Sequence, residues 1–133
     1  MPNTPGPGGY ALAWLASVLI FGGGLVVASR PTRADLDAVL IVVLVATLVV
    51  SIPFAVVGVL VVHVLCAPVE AQWFHVLVAG LVGYAATVVA ASLSGDPDWF
   101  GIGPWLAATT ALARAAVIPL VHRRRAAATA VAA

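Results

Sequence analysis

Four long apolar runs constrain this chain more than any other feature. They cover about residues 10–29, 37–66, 73–93 and 104–122, with short polar segments between them. A run of roughly 20 apolar residues is long enough to cross the hydrocarbon core of a bilayer as a helix. The sequence therefore predicts an all-α fold, an integral membrane bundle of four transmembrane helices with short loops.

Composition excludes a water-soluble alternative. Hydrophobic residues make up 63% of the chain and charged residues only 8%, whereas soluble domains are about 45–50% apolar and about 25% charged. A soluble fold of this size has too little interior to hide so much apolar surface. The net charge of +1 gives no support for nucleic-acid binding, and the single cysteine excludes an internal disulfide.

The ends of the chain differ from the four runs. Residues 1–9 are rich in proline and glycine, and residues 123–133 are three arginines followed by an alanine-rich tail. Both segments are predicted to be disordered, on either side of a single transmembrane domain over residues 10–122. At about 1.5 Å per residue the run from Ala38 to Cys66 is roughly 43 Å long, so we expect one long helix, kinked near Pro53.

Basic residues give conflicting signals for orientation. Arg123, Arg124 and Arg125 favour a cytoplasmic C-terminus, whereas Arg30 and Arg33 favour a cytoplasmic first loop. With four crossings, the first loop and the C-terminus lie on opposite sides of the membrane, so they cannot both be cytoplasmic. Three arginines at the C-terminus outweigh two in the first loop. The sequence therefore predicts a multi-pass protein of the cell membrane with both termini in the cytoplasm. Dual topology, and a split second run that gives five segments, stay open as alternatives.

Arg114 is the one charge inside the fourth run. An arginine at the centre of a transmembrane helix costs about 2.5–3.5 kcal/mol on insertion scales, so a partner should offset it. Counting from the helix midpoints places Ser51 and Tyr84 at the depth of Arg114, and Thr110 shares its helical face. We expect Arg114 to donate to the Val49 carbonyl, which Pro53 leaves free, and to the hydroxyl groups of Ser51 and Tyr84.

Two interpretations of this intramembrane polar site, Arg114, Ser51, Tyr84 and Thr110, stay open. One is a binding site for an anion or a polar solute, where irregular helices meet at mid-membrane. The other is structural: a buried or snorkelling arginine that fixes packing, or one that meets an acid of a partner subunit.

Histidines flank the second turn. His63 and Cys66 are three residues apart on one helix face, and His75 is expected at a similar depth on the next helix. This spacing permits a metal site, or a pair of histidine ligands to a haem between the helices. The alternative is that these histidines bind no ligand, and no cofactor is predicted overall.

Four carboxylates are expected on the other side of the membrane, just before the second and fourth helices. They are Asp35, Asp37, Asp96 and Asp98. Oxygen ligands of this kind suit a hard cation such as Ca²⁺. The alternative interpretation is helix capping and favourable charge at helix N-termini.

A bundle with almost no mass outside the membrane has little room for a water-facing active site, so no enzyme is predicted. The first hypothesis is an accessory or structural subunit, embedded in the lipid bilayer and acting through helix–helix contacts in a homo-oligomer or a larger membrane complex. The second is a small homo-oligomeric transporter or channel with Arg114 on an anion path. The third is a haem or metal redox subunit that uses His63 and His75.

Overall fold

The computed structural model describes residues 4–132, with side chains through Ala130 except that of Arg125. Within this range the chain forms α1 (Gly6–Ser29), α2 (Leu36–Cys66), α3 (Gln72–Ser94), α4 (Trp99–Ala116) and α5 (Ile118–Ala132). Four spans are long and apolar enough to cross a membrane, the last of them running from α4 into α5. The predicted all-α class is confirmed, and the arrangement is compatible with a four-helix bundle.

The first four helices pack as a closed ring. α1 contacts α2 and α4, α3 contacts α2 and α4, and the α3–α4 pair is the most extensive of these. Short connections between long helices make consecutive helices antiparallel. The start of α1, the α2–α3 turn and the end of α4 therefore lie at one end of the bundle, and the other two connections lie at the opposite end.

Glycine lets α3 and α4 approach closely. A Cβ built on Gly83 would lie 3.0 Å from the carbonyl oxygen of Leu106 and would collide with Oγ1 of Thr110. Gly80 faces Ala107 and Ala111 in the same way, with both contacts at 3.4 Å. Small residues are the usual means of close packing in membranes, where the hydrophobic effect does not drive helices together.

The observed bounds of α2 and α3 lie within one residue of the predicted runs. The start of α1 differs, because it begins at Gly6, inside the segment expected to be disordered. Pro7 occupies the first turn, where its fixed φ angle suits a helix and its missing N–H is not needed. The kink expected near Pro53 stays a prediction, and Pro53 does not interrupt α2.

The end of the chain also differs from the prediction. α4 begins at Trp99 rather than at Pro104, and α5 continues through the tail to Ala132. Alanine has the highest helix propensity, which accounts for the helical tail. The break at Val117 has a local cause: Pro119 has no N–H to donate to the Ala115 carbonyl four residues earlier, and the N–H of Val117 bonds that carbonyl instead.

Of the first four helices, α2 contributes least to the interior. Only Val62 and Cys66 are buried among its residues, and they pack against Val78 of α3. Large apolar side chains cover the rest of α2 and face outwards. We call one stripe of them, at helical spacing, the outer α2 face: Val42, Val45, Val49, Ile52, Val56 and Leu60.

Candidate functional site

Arg114 lies in the last turn of α4 and points into the protein, with only 3% of its surface exposed. Its Nη2 donates to Oε1 of Gln72 at 3.0 Å and to Nδ1 of His75 at 2.9 Å. Gln72 is the first residue of α3. The guanidinium is therefore near the end of the bundle that carries the termini, about one helical turn inside α3, rather than at mid-membrane.

His75 is held in a single protonation form by its two neighbours. Its Nε2 lies 2.8 Å from the carbonyl oxygen of Val69, which accepts only, so Nε2 carries the proton. Its Nδ1 faces an N–H of Arg114 and must therefore be the acceptor. His75 is 1% exposed, and it is neutral in this arrangement.

Other polar side chains lie around the guanidinium. Tyr10 and Cys66 are close enough to Arg114 for electrostatic interaction. The Tyr10 hydroxyl and Nδ1 of His63 share a hydrogen bond at 3.3 Å, and the two rings meet edge to face. We name this set, to which each of the first four helices contributes, the Arg114 cluster: Tyr10, His63, Cys66, Gln72, His75 and Arg114.

Part of the guanidinium has no partner among the residues that the structure describes. Nε and Nη1 of Arg114 are buried and make no hydrogen bond with any described residue. Arginine has five N–H donors, of which Nη2 carries two. The two hydrogen bonds of Nη2 therefore leave three donors unused, inside the protein and on a charged group.

The predicted partners of Arg114 are wrong. Ser51 instead accepts a hydrogen bond from Nε1 of Trp14 at 2.9 Å and donates to the Leu48 carbonyl at 3.0 Å. Thr110 donates to two carbonyls of its own helix. Tyr84 is 40% exposed and lines a shallow apolar groove of about 350 Å³ between α3 and α4. The four residues of the predicted polar site are thus not brought together.

The error has a physical cause. A fourth helix that begins at Pro104 places Arg114 near mid-membrane, whereas α4 begins at Trp99. Five residues correspond to roughly 7.5 Å of helix at about 1.5 Å per residue. This shift moves Arg114 from the level of Ser51 towards the start of α3.

The two candidate haem ligands do lie at the same end of the bundle, in the Arg114 cluster. However, both ring nitrogens of His75 are engaged, one with Val69 and one with Arg114. His75 therefore has no free lone pair for a metal ion. Within the described residues, no group of three or more His, Cys, Asp or Glu side chains is placed to hold a metal.

The four candidate acidic ligands of a cation lie at the opposite end of the bundle, and they are all exposed. Asp35 accepts a hydrogen bond from Oγ1 of Thr32 at 2.5 Å, and Asp96 accepts one from the N–H of Asp98 at 3.0 Å. Asp37 lies in the first turn of α2, where its charge is favourable. Asp35 and Asp98 precede α2 and α4, but their side chains do not cap these helices.

Sequence reasoning missed Gln72 and Tyr10 as members of the site. Gln72 opens α3 and Arg114 closes α4, and antiparallel neighbours bring the start of one helix to the end of the other. A polar residue at the boundary of the third apolar run was therefore an available signal. Tyr10 gave no such signal, because an aromatic residue at a helix end is also typical of a membrane interface.

Comparisons of the chain with protein-family models, with curated proteins and with solved structures find no match. A cation held by two neutral side chains can fix the packing of α3 on α4, and its unused donors can bind an anion. The Arg114 cluster combines these two capacities.

Proposed function

We propose that this chain is a non-enzymatic accessory or structural subunit that acts through helix–helix contacts in the membrane. The observation that carries the proposal is the outer α2 face, which is apolar and exposed along its whole length. α2 packs on α1 and α3 less extensively than α3 packs on α4. A helix that adds so little to its own bundle keeps its surface available for another helix.

The partner that we propose is a transmembrane helix of a different protein, seated on the outer α2 face. At about 1.5 Å per residue, the 31 residues of α2 extend roughly 46 Å. The hydrocarbon core of a bilayer is only about 30 Å thick, so α2 must tilt or extend beyond it. A partner helix that is also longer than the hydrocarbon core can pack along α2 whether α2 tilts or extends beyond the bilayer. This supports a protein, rather than lipid alone, as the neighbour of α2.

We place the protein in the cell membrane with both termini in the cytoplasm. The end of the bundle that holds the termini carries Arg123 and Arg124, both exposed, and Arg125 in the sequence. The opposite end carries Arg30 and Arg33 beside several aspartates. The excess of arginine beside the C-terminus supports the cytoplasmic assignment.

The test is native mass spectrometry of the full chain after mild extraction from its own membrane. We expect a complex of fixed stoichiometry with a different membrane protein. The double variant Val49→Trp, Val56→Trp enlarges the outer α2 face and should abolish that complex while leaving insertion intact. The matched control is Leu19→Trp on α1, which is 61% exposed and outside that face.

Two results would overturn the proposal. One is a complex that both variants lose equally, because the outer α2 face would then have no special role. The other is a chain that is always monomeric or forms only homo-oligomers.

A homo-oligomer would favour the alternative function, a small transporter or channel with Arg114 on an anion path. One observation supports this alternative: Nε and Nη1 of Arg114 are buried and have no hydrogen-bond partner in the described part of the chain. The remaining membrane hydroxyls weigh against it, since Thr87, Thr109 and Thr110 bond carbonyls of their own helices rather than lining a passage. The third hypothesis, a haem or metal redox subunit, receives no support because His75 has no free ring nitrogen.

A further inference from the structure

We infer that the Arg114 cluster binds a phosphate group, which enters from the end of the bundle that carries the termini. The group belongs either to a phospholipid headgroup or to free phosphate. This inference does not rest on the proposed function, because an accessory subunit needs no such ligand. It rests on the unused donors of Arg114, on the charge around them and on their depth.

The unused donors are the first argument. Nη2 of Arg114 is saturated by Gln72 and His75, whereas the N–H groups of Nε and Nη1 have no partner among the described residues. Each unsatisfied buried donor costs about 1–3 kcal/mol, and more on a charged group. An oxygen-rich ligand removes this cost.

Charge is the second argument. Gln72 is neutral and His75 must be neutral to accept from Arg114, so neither of these hydrogen-bond partners balances the positive charge. Buried charges in proteins are normally paired with an opposite charge. A water molecule would satisfy N–H groups but would leave the charge unpaired, so the missing partner is an anion.

The start of α3 adds to the positive potential at this place. Gln72 is the first residue of this 23-residue helix, and Ala71 before it provides no side-chain cap. The first turn of α3 contains no acidic residue. The N-terminal end of a helix carries about half a positive charge and attracts anions, phosphate in particular.

Depth decides the class of anion. By length and composition, α2 and α3 are both candidate membrane spans, so Gln72, the first residue of α3, marks a boundary between a span and the α2–α3 turn. Arg114 donates a direct hydrogen bond to Gln72. The phosphates of the lipid headgroups lie at that boundary, and guanidinium binds phosphate oxygens through several N–H groups at once. Nε and Nη1 are covered in this structure, so entry requires displacement of a covering side chain. Tyr10 is half-buried beside the guanidinium, with its hydroxyl 3.3 Å from Nδ1 of His63.

The direct test follows the Nε–H resonance of Arg114 by ¹⁵N NMR on the full chain in detergent. Arg114→Gln assigns the signal by its loss from among six arginines. One titration adds inorganic phosphate, with chloride at equal ionic strength as the control. The other adds a short-chain phosphatidylglycerol, with the same amount of short-chain phosphatidylcholine for comparison.

We expect a saturating shift of the Arg114 resonance that chloride does not produce. A response to both phosphate and phosphatidylglycerol indicates a site open to free phosphate. A response to the lipids alone indicates a headgroup site, and both results support the inference. If neither phosphate nor either lipid shifts the resonance, the inference is overturned. That result is expected if only water contacts the unused donors.

Variants give an independent measure. Phosphate or lipid should raise the melting temperature of the wild type and of Arg123→Gln, an exposed arginine at the same end of the bundle. The shift should be lost in Arg114→Gln, since truncation of a buried charge pair weakens binding by roughly 30-fold or more. Equal shifts in all three proteins would show general electrostatic attraction and would overturn the inference. Arg114→Lys, which keeps the charge, replaces Arg114→Gln if the latter does not fold.

Discussion

Nη2 of Arg114 lies 2.9 Å from Nδ1 of His75, and this contact joins the last turn of α4 to the first turn of α3. On its other side His75 bonds the Val69 carbonyl, so the histidine connects Arg114 to the α2–α3 turn. The contact also fixes the imidazole as the neutral form with its proton on Nε2. One buried side chain therefore sets the relative position of three elements.

The contact should appear as an energetic coupling between the two residues. We expect His75→Leu and Arg114→Leu each to destabilise the protein, and the double variant to lose about 1–3 kcal/mol less than the sum of the two. The reason is that either single change already breaks the shared hydrogen bond. Reversible unfolding in mixed micelles measures the three values. His122→Leu, an exposed histidine in α5, is the control and should change stability by less than about 0.5 kcal/mol. Strict additivity would show that the contact contributes nothing.

The presence of Arg114 in a protein interior could be predicted, but its partners could not. One charge within an apolar run, on a face with small residues, indicates a side chain turned away from lipid, and Arg114 is buried. Its partners depend on how far α4 is shifted along α3. That shift depends on where α4 begins, and Pro104 marks the start of the apolar run but not the start of the helix.

Substitutions at two glycines should have opposite effects. Gly83→Ala places a Cβ against the Leu106 carbonyl, 3.0 Å away, and against Thr110, so α3 and α4 must separate. We expect a loss of about 1–3 kcal/mol, as for other overpacked sites. A Cβ on Gly23 meets nothing within 4 Å, so Gly23→Ala should stabilise α1 by up to about 1 kcal/mol through helix propensity. Thermal unfolding in detergent compares the two variants. A destabilising Gly23→Ala, or a harmless Gly83→Ala, would contradict the described packing.

A second polar contact joins α1 to α2. Nε1 of Trp14 donates to Oγ of Ser51 at 2.9 Å. We expect Ser51→Ala to lower stability by about 0.6 kcal/mol and by no more than about 1.7 kcal/mol, the range for such bonds within membranes. Ser92→Ala is the matched control, because Ser92 is exposed and bonds only a carbonyl of its own helix. Equal effects of the two substitutions in the same unfolding assay would mean that the Trp14 contact is not formed.

The four crossings could be predicted because the signal is local. Each run is long enough for the bilayer, and the connections contain proline, glycine or charged residues that end an apolar stretch. The helical tail was missed for the opposite reason: basic and alanine-rich residues after a transmembrane run resemble a polar terminus, although alanine favours helix. Depth predicts Ser51 beside Arg114, and a shared helical face predicts Thr110 there, but each instead bonds a nearer group.

Cys66 should report on the integrity of the bundle. It is the only cysteine, it is 0% exposed, and it packs against Val62 and Val78. A membrane-permeant maleimide should therefore react with the folded protein at least about tenfold more slowly than with the protein unfolded in SDS, since buried thiols are inert. Labelling followed by mass spectrometry measures both rates. Rapid labelling of the folded protein would show that the C-terminal end of α2, next to the α2–α3 turn, is accessible to the reagent.

Labelling from one side of the membrane tests the arrangement of the ends. The ring of antiparallel helices puts the α5 tail and the α2–α3 turn at one end, and Ser94 at the other. In a Cys66→Ala background, an impermeant maleimide added to intact cells should label Ser94→Cys but neither Ala127→Cys nor Glu70→Cys. The latter two should react in inside-out vesicles, where the cytoplasmic face is accessible. A reversed pattern would place the termini outside and overturn the proposed orientation, while leaving the bundle intact. Partial labelling of all three positions from both sides would instead indicate dual topology, in which the two sets of arginines balance.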